Sequence, residues 1–345
     1  MRALVLGNMT DQHTGLYICR AFKSLGHEVV AIDVRKIVQT VSGPKNQEII
    51  LDEVNKQTKI PDVVITMKGK ELTLKTLRTL KTKYPKAKFI DWFFDIYLNE
   101  KYIWNTPEFF KAIELYDYFI CAVKGVSDKL KEQGVDNVYY IDQACDPEFN
   151  NAVYLNNFQK RKYGSDVTFV GSLGYLGIHK NRLETLSRIA TEGFDLKIWG
   201  NVICEWKMIP PILRPLHTKT IVMNQDHSSV VQSSLITLGI DAEPTLDAGW
   251  SVRLFKVLCA GGCYLTNNTK GLSNLFKINK EDENITDDQD MVVYYNLQDL
   301  VDKLDFLLEH DDIRTKIAEN GRKTVLEKHT YKHRIEELLK LIGEK

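Results

Sequence analysis

Gly249-Trp250-Ser251-Val252-Arg253-Leu254-Phe255-Lys256-Val257-Leu258-Cys259-Ala260-Gly261-Gly262, running into Cys263-Tyr264-Leu265-Thr266, reads as a loop, a short helix, a glycine stop and a buried strand. Ser251 is placed to cap the first turn, and Gly261-Gly262 stand where a helix ends in a left-handed turn. A helix opening behind small residues points unpaired backbone N–H groups outward, here with Arg253 in its first turn. That arrangement suits a phosphate or diphosphate. The expectation it sets is a nucleotide-dependent enzyme.

The N-terminal end has a matching grammar. Ala3–Leu6 is a compact apolar strand, followed by a polar loop from Gly7 to Gly15 and a helix near Leu16–Leu25. Gly26-His27 stops that helix, and Glu28–Asp33 is a second strand, giving a βαβ unit. Further strands are predicted at Val63–Thr66, Lys88–Trp92, Tyr118–Cys121 and Val138–Ile141, with helical segments between them. A polar, irregular stretch from Asp146 to Ser165 breaks the pattern. A second series then begins, with strand Asp166–Val170, a helix around Lys180–Ala190 and strand Asp195–Trp199. Later strands fall at Ser234–Ile240, Cys263–Thr266 and Val292–Tyr295, and helices follow to the C-terminus. The acidic segment Glu281–Asp290 reads as a solvated loop.

This alternation predicts an α/β protein of GT-B architecture, with two Rossmann-like domains facing a cleft and a C-terminal helix crossing back to the first domain. The expected boundaries are 1–150 for an acceptor domain, 160–328 for a donor domain and 329–345 for the returning helix. Ligands in such sheets sit at the carboxyl ends of the strands, so the cleft would hold both donor and acceptor.

Composition narrows the class. A chain of 345 residues is long enough for two cores, and 43% hydrophobic with 27% charged residues is ordinary for a globular protein. The formal net charge is +0, which excludes a global field recruiting nucleic acid or membrane. The cysteines Cys19, Cys121, Cys145, Cys204, Cys259 and Cys263 lie mostly in apolar runs, with no CxxC, as expected of free thiols in a reducing compartment. Met1–Gly7 is too short for a signal peptide, and no run approaches the roughly 18 apolar residues of a membrane span. A cytoplasmic location is expected.

Several segments in order also resemble a known family. They include Asp166–Ser172, Gly193–Gly200, Ser251–Phe255, Gly262–Thr266 with Gly271-Leu272, and the tail His329–Arg334. Pro61–Val64 with Lys68-Gly69, Tyr116–Tyr118, Gly134-Val135 and Ala144–Pro147 extend the likeness through the first half. Together they resemble the CgeB-like, spore-maturation glycosyltransferase family. The resemblance implies a GT-B fold, donor binding in the C-terminal lobe and transfer that requires no metal. One position departs from it: Lys256 stands where relatives of this fold carry a glutamate that holds the donor ribose. An ammonium cannot accept those hydrogen bonds.

Glycosyl transfer needs a diphosphate cradle, a pocket for base and ribose, and acceptor activation. Without a metal, the charge on the leaving diphosphate must be met by cations and helix N-termini. The candidate donor residues are Gly171 and Ser172 at one strand end, Arg182 behind them, Gly200 and Asn201 at the next strand end, Ser251, Arg253 and Lys256 on the short helix, and Gly271 beyond the following strand. Lys180 is a further candidate. Trp199 reads as core. In the first strand-to-helix loop, His13 and Asp11 are candidate acceptor bases for an inverting reaction, and Asp95 is another. A retaining reaction needs no protein base. His329 and His333, four apart, lack a third ligand and read as structural, so no metal site is expected.

The donor expected is a nucleotide-sugar, a UDP-sugar in particular, with no further cofactor. The acceptor is a glycan, a small molecule or a protein. The segment Lys68–Lys88 carries Lys68, Lys70, Lys75, Arg78, Lys81, Lys83, Lys86 and Lys88 against the single acid Glu71. It reads as an exposed lysine-rich helix, or as a surface for an anionic acceptor such as DNA carrying a hydroxylated base. A catalytically silent GT-B binding or structural protein is the remaining alternative, and Lys256 is the residue that favours it.

Overall fold

Parallel strands joined by helices build two separate sheets. The computed structural model describes residues 1–10, 13–95, 107–174 and 180–343. The chain divides into one unit of Met1–Gln143 with Tyr331–Lys345, and a second of Ala144–Thr330.

The first unit runs β1 Arg2–Gly7, α1 Thr14–Ser24, β2 Glu28–Asp33, α2 Val34–Thr40, α3 Lys45–Asn55, β3 Val63–Met67, α4 Leu74–Lys83, β4 Lys88–Phe93, α5 Pro107–Ile113, β5 Tyr118–Cys121, α6 Lys124–Glu132 and β6 Val138–Tyr140. Its six strands are parallel in the order β2-β1-β3-β4-β5-β6, with Leu4 paired to Val30 on one side and Val64 on the other. Strands covered on both faces must be apolar throughout. β3 (Val63-Val64-Ile65-Thr66-Met67) is accordingly buried along its whole length. α1 sinks Tyr17, Ile18, Ala21 and Phe22, of which Ile18 and Phe22 contribute roughly 1.5–3 kcal/mol each by burial.

The second unit runs α7 Asn157–Tyr163, β7 Val167–Val170, α8 Lys180–Thr191, β8 Leu196–Trp199, α9 Asn224–Ser233, β9 Ile236–Gly239, α10 Arg253–Cys259, β10 Cys263–Asn267, β11 Val292–Tyr294, α11 Leu297–Glu309 and α12 Asp311–Lys328. Its five parallel strands take the order β11-β10-β9-β7-β8. Phe169, Ile198, Leu238 and Leu265 centre its core. α13, Tyr331–Leu341, closes the chain and packs in the first unit, where the Tyr331 and Tyr17 rings lie 5.8 Å apart.

Four expectations are corrected in detail. The irregular stretch Asp146–Ser165 contains α7, opened by a capping box between Asn156 and Gln159. The acidic loop is solvated only in part: Asp290 is buried, accepting from Lys277 N at 2.7 Å and Thr324 Oγ1 at 2.7 Å. His329 caps the end of α12 while α13 begins at Tyr331, so His329 and His333 do not share a helix face. The basic segment is not one continuous cationic surface. Lys68 pairs with Asp95, Lys81 with Asp117 and the Leu115 carbonyl, Lys83 with Asn55, and Lys88 with the Ile342 carbonyl. Trp199 is core, 3% exposed beside Tyr163, and the six cysteines are free, five of them buried.

Candidate functional site

In the second sheet the strand order reverses between β7 and β9, the point at which open α/β sheets take ligands outside their carboxyl ends. Gly171 and Ser172 leave β7 there, and Asp241 follows β9. α10 delivers Arg253 across this gap. Its Nε donates to the Val170 carbonyl at 2.6 Å, and its guanidinium lies 4.8 Å from the Phe169 ring centroid. The expectation of an arginine projecting from a helix N-terminus is therefore corrected. α10 begins at Arg253 itself, and the side chain turns inward to 7% exposure. Ser251 still serves the turn, its Oγ accepting from Arg253 N at 3.1 Å.

The surroundings of Arg253 are cationic. Arg182 of α8 donates through Nη1 to the Ser172 carbonyl at 2.9 Å and lies 5.7 Å from the same Phe169 ring. Burial and the nearby Arg253 charge push Arg182 down to about 10. Lys256 is half-buried, and burial pushes its ammonium down to about 8. His227 of α9, 6% exposed, is pushed down to about 3 by burial and then by Lys256 and Arg253, so it is neutral. Asp241 is the acid among them, accepting from Ser251 N at 3.0 Å, with burial raising its pKa against both arginines. Among the described residues Arg253 Nη1 and His227 Nδ1 are buried without a hydrogen-bond partner. A buried guanidinium with an unused donor suits an incoming oxyanion, because charge-assisted hydrogen bonds are strong where water is excluded.

The glycines here keep backbones close. Gly200 has φ +130, and a Cβ on it would stand 2.4 Å from the Gly171 carbonyl oxygen. A Cβ on Gly171 would stand 2.6 Å from Arg253 Nη2. Gly271, at φ +94, has Asp247 Oδ1 2.5 Å from where its Cβ would be. Asn201 is exposed, and its carbonyl accepts from Leu173 N at 2.8 Å. The side chain of Lys180, and Asp11 as a whole, lie outside the described residues.

The first sheet reverses between β1 and β3, and a pocket of about 290 Å³ lies there. Asn8, His13, Gly15, Arg35, Lys68 and Glu71 line it. His13 is exposed at the N-cap of α1. Asp95 accepts from Lys68 Nζ at 2.7 and 2.8 Å, which engages both of its oxygens. Glu71 is buried and meets Arg35 at 3.3 Å, with burial raising its pKa. Among the described residues no group of three or more His, Cys, Asp or Glu is placed to hold a metal ion.

Reading by motif missed Asp241, His227, Asp91 and Tyr116. Asp241 had a signal, being the first charged residue after the apolar run Ile236–Ile240, as did Asp91, a lone acid inside Phe89-Ile90-Asp91-Trp92-Phe93. Tyr116 was marked only as part of the segment Tyr116–Tyr118, with no role assigned to it, and His227 had no signal.

The two sheets, each with its ligand position at a reversal of strand order, define a protein of the GT-B class. Residues 180–340 match the model of the family described as Glycosyl transferase-like, a span that holds Arg182, His227, Asp241, Arg253 and Lys256. Solved structures match over almost the whole chain. Sucrose-phosphate synthase from Thermosynechococcus elongatus is 10% identical with TM-score 0.65, covering 99% of this chain and 98% of its own. HepE from Anabaena, in complex with UDP-glucose, is 11% identical with TM-score 0.63, covering 99% of both chains. The catalytic domain of starch synthase IV from Arabidopsis thaliana, bound to ADP and acarbose, is 9% identical with TM-score 0.62, covering 97% of this chain and 99% of its own. No curated protein matches the sequence. The structural likenesses carry the fold, and the segment 180–340 is similar to the glycosyl transferase-like family. Among the described residues no helix is long and apolar enough to cross a membrane.

Proposed function

We propose that this chain transfers a sugar from a nucleotide-sugar, a UDP-sugar in the first instance, to a hydroxyl acceptor, as the CgeB-like resemblance implies. The observation that carries the donor reading is Arg253, 7% exposed at the strand-order reversal, with Nη1 unpartnered among the described residues. In this reading Arg253, Arg182 and Lys256 meet the developing negative charge on the leaving diphosphate, and no metal is required. Gly171, Ser172, Gly200 and Asn201 border the nucleotide, while Ser251 and Gly271 shape the loops around it. The complex of HepE with UDP-glucose supports a donor of that type on this fold.

For the acceptor, an inverting reaction would use His13 as base. Asp95 is the weaker choice because Lys68 engages its lone pairs, and Asp11 is the third candidate. Calorimetry of the full chain with UDP, GDP and dTDP, with and without EDTA, tests the donor reading. Saturable UDP binding that EDTA leaves unchanged is expected. Absence of binding to all three at about 1 mM, a free energy of roughly −4 kcal/mol, overturns the reading in favour of a silent GT-B protein.

One observation favours a second reading. Lys75, Arg78 and Lys86 are exposed on the first unit, as a DNA-directed acceptor site would require. The ion pairs of Lys68 and Lys81 weaken it. Duplex binding whose salt dependence flattens in Lys75→Glu/Arg78→Glu would support the DNA reading, and salt-independent or absent binding removes it.

A further inference from the structure

We infer that the first unit holds a specific acceptor pocket beside α4 and α5, built for a cyclic, largely apolar molecule. Its occupant carries a hydroxyl at the inner end and an anionic group at the outer end. The inference rests on the acceptor reading above. It concerns a cavity that shares Lys68 and Lys70 with the one that holds His13 but has its own floor, and nothing in the transfer chemistry so far uses it.

The cavity measures about 490 Å³, within the range of small-molecule sites. Leu74, Phe109, Ala112, Ile113 and Phe119 form apolar wall. Phe109 and Phe119 meet edge to face, with centroids 5.9 Å apart, presenting a rigid aromatic corner. Asp91 and Tyr116 also line the cavity and are the buried polar groups of its floor, at 1% and 4% exposure.

The strand register explains the floor. Thr66, Asp91 and Phe119 are direct partners across β3, β4 and β5, so their side chains share one face of the sheet. Thr66 Oγ1 bonds to Asp91 Oδ1 and lies 2.9 Å from Tyr116 Oη. Gly69, at φ +60, passes over this pair, and a Cβ on it would stand 2.9 Å from Tyr116 Oη and 3.1 Å from Asp91 Oδ1. The loop therefore needs glycine twice over, for its φ and for its approach to the polar floor.

Asp91 is the group that asks for a ligand. Thr66 is its hydrogen-bond partner through Oδ1, and among the described residues no hydrogen bond reaches Oδ2. Burial pushes the carboxyl up to about 8, so at neutral pH it is uncharged and compatible with an apolar pocket. A ligand hydroxyl, whose oxygen can accept from the protonated carboxyl, supplies the missing partner. At the rim, Lys70 and the exposed Lys75 outnumber Glu108, which favours an anionic outer group.

The test uses the full chain and three probes: 4-hydroxybenzoate, benzoate and glucose 6-phosphate, each titrated by calorimetry beside UDP. The expected result is saturable binding of 4-hydroxybenzoate with Kd tighter than about 1 mM, and benzoate weaker by about tenfold for want of the hydroxyl. Glucose 6-phosphate, lacking an apolar body, should not compete. Ala112→Phe, which fills the cavity, should abolish 4-hydroxybenzoate binding and leave UDP binding intact. Asp91→Leu, which removes the hydrogen-bonding group at similar volume, should erase the preference for 4-hydroxybenzoate over benzoate. If the hydroxyl confers no preference, or Ala112→Phe binds like the parent, the proposal is overturned and Oδ2 is met by water. Loss of UDP binding in the parent chain would count against the donor reading alone.

Discussion

Arg253 Nε donates to the Val170 carbonyl at 2.6 Å, so one guanidinium from α10 closes the carboxyl end of β7 while, among the described residues, Nη1 is left without a partner. The contact ties the cation of the proposed donor site to the sheet rather than to the loop that precedes it. A lysine cannot both make this bond and extend a second donor in a fixed plane. Arg253→Lys should therefore weaken UDP binding by about tenfold or more, on the order of 1.4 kcal/mol, while the protein stays folded. Calorimetry checks it, and an unchanged affinity would remove Arg253 from the donor site.

Gly171 and Gly200 touch each other, and their alanine variants should fail differently. At Gly171 the new methyl meets the end of the Arg253 side chain at 2.6 Å and the Phe169 ring at 2.9 Å. A side chain can swing away, so Gly171→Ala should lose UDP affinity more than stability. At Gly200 the methyl meets the Gly171 carbonyl oxygen at 2.4 Å, with φ already at +130. Backbone has to move there, at a cost of about 1–3 kcal/mol or more. Melting curves beside calorimetry separate the two, and the same loss profile in both variants would contradict this division.

Much of the architecture was legible because buried parallel strands leave a plain trace. Val63–Met67, Phe89–Phe93 and Cys263–Thr266 are short apolar runs between turn residues, and their order gave two sheets. α7 was lost in a polar stretch, although its Asn156–Gln159 capping box is a local signal. The donor site was half legible. Gly171, Ser172, Arg182 and Arg253 follow from strand ends and charge, yet the inward turn of Arg253 depends on the Val170 carbonyl and the Phe169 ring, more than eighty residues upstream in the chain. His227 and Tyr116 owe their roles to tertiary neighbours, so local pattern carries no trace of them.

In the proposed donor site, Lys256 sets a pH dependence. Burial pushes its ammonium down to about 8, whereas an unfolded lysine titrates near 10.5. A diphosphate prefers the protonated form, so UDP affinity should fall as pH rises through about 8 and be flat between pH 6 and 7. Lys256→Gln should bind UDP more weakly at pH 7 and lose the decline above pH 8. A parent affinity that is constant from pH 7 to 9.5 would show that Lys256 does not meet the diphosphate.

Asp91 should make the stability of the first unit fall with rising pH, the reverse of the usual carboxylate. Its carboxyl is pushed up to about 8 in the fold from an ordinary 3.8. Between those values the folded state keeps a proton that the unfolded state has released. The unfolded state therefore binds fewer protons there, and stability declines as pH rises from about 4 towards 8, levelling above the folded pKa. Asp91→Asn removes the titration while retaining a polar group for Thr66. Urea denaturation at pH 5.5 and pH 8.5 should show the parent losing more stability across that interval than the variant, with the variant the more stable of the two at pH 8.5. Equal losses in both proteins would mean that Asp91 is ionised in the fold, and that the Thr66 hydroxyl and solvent together compensate its charge.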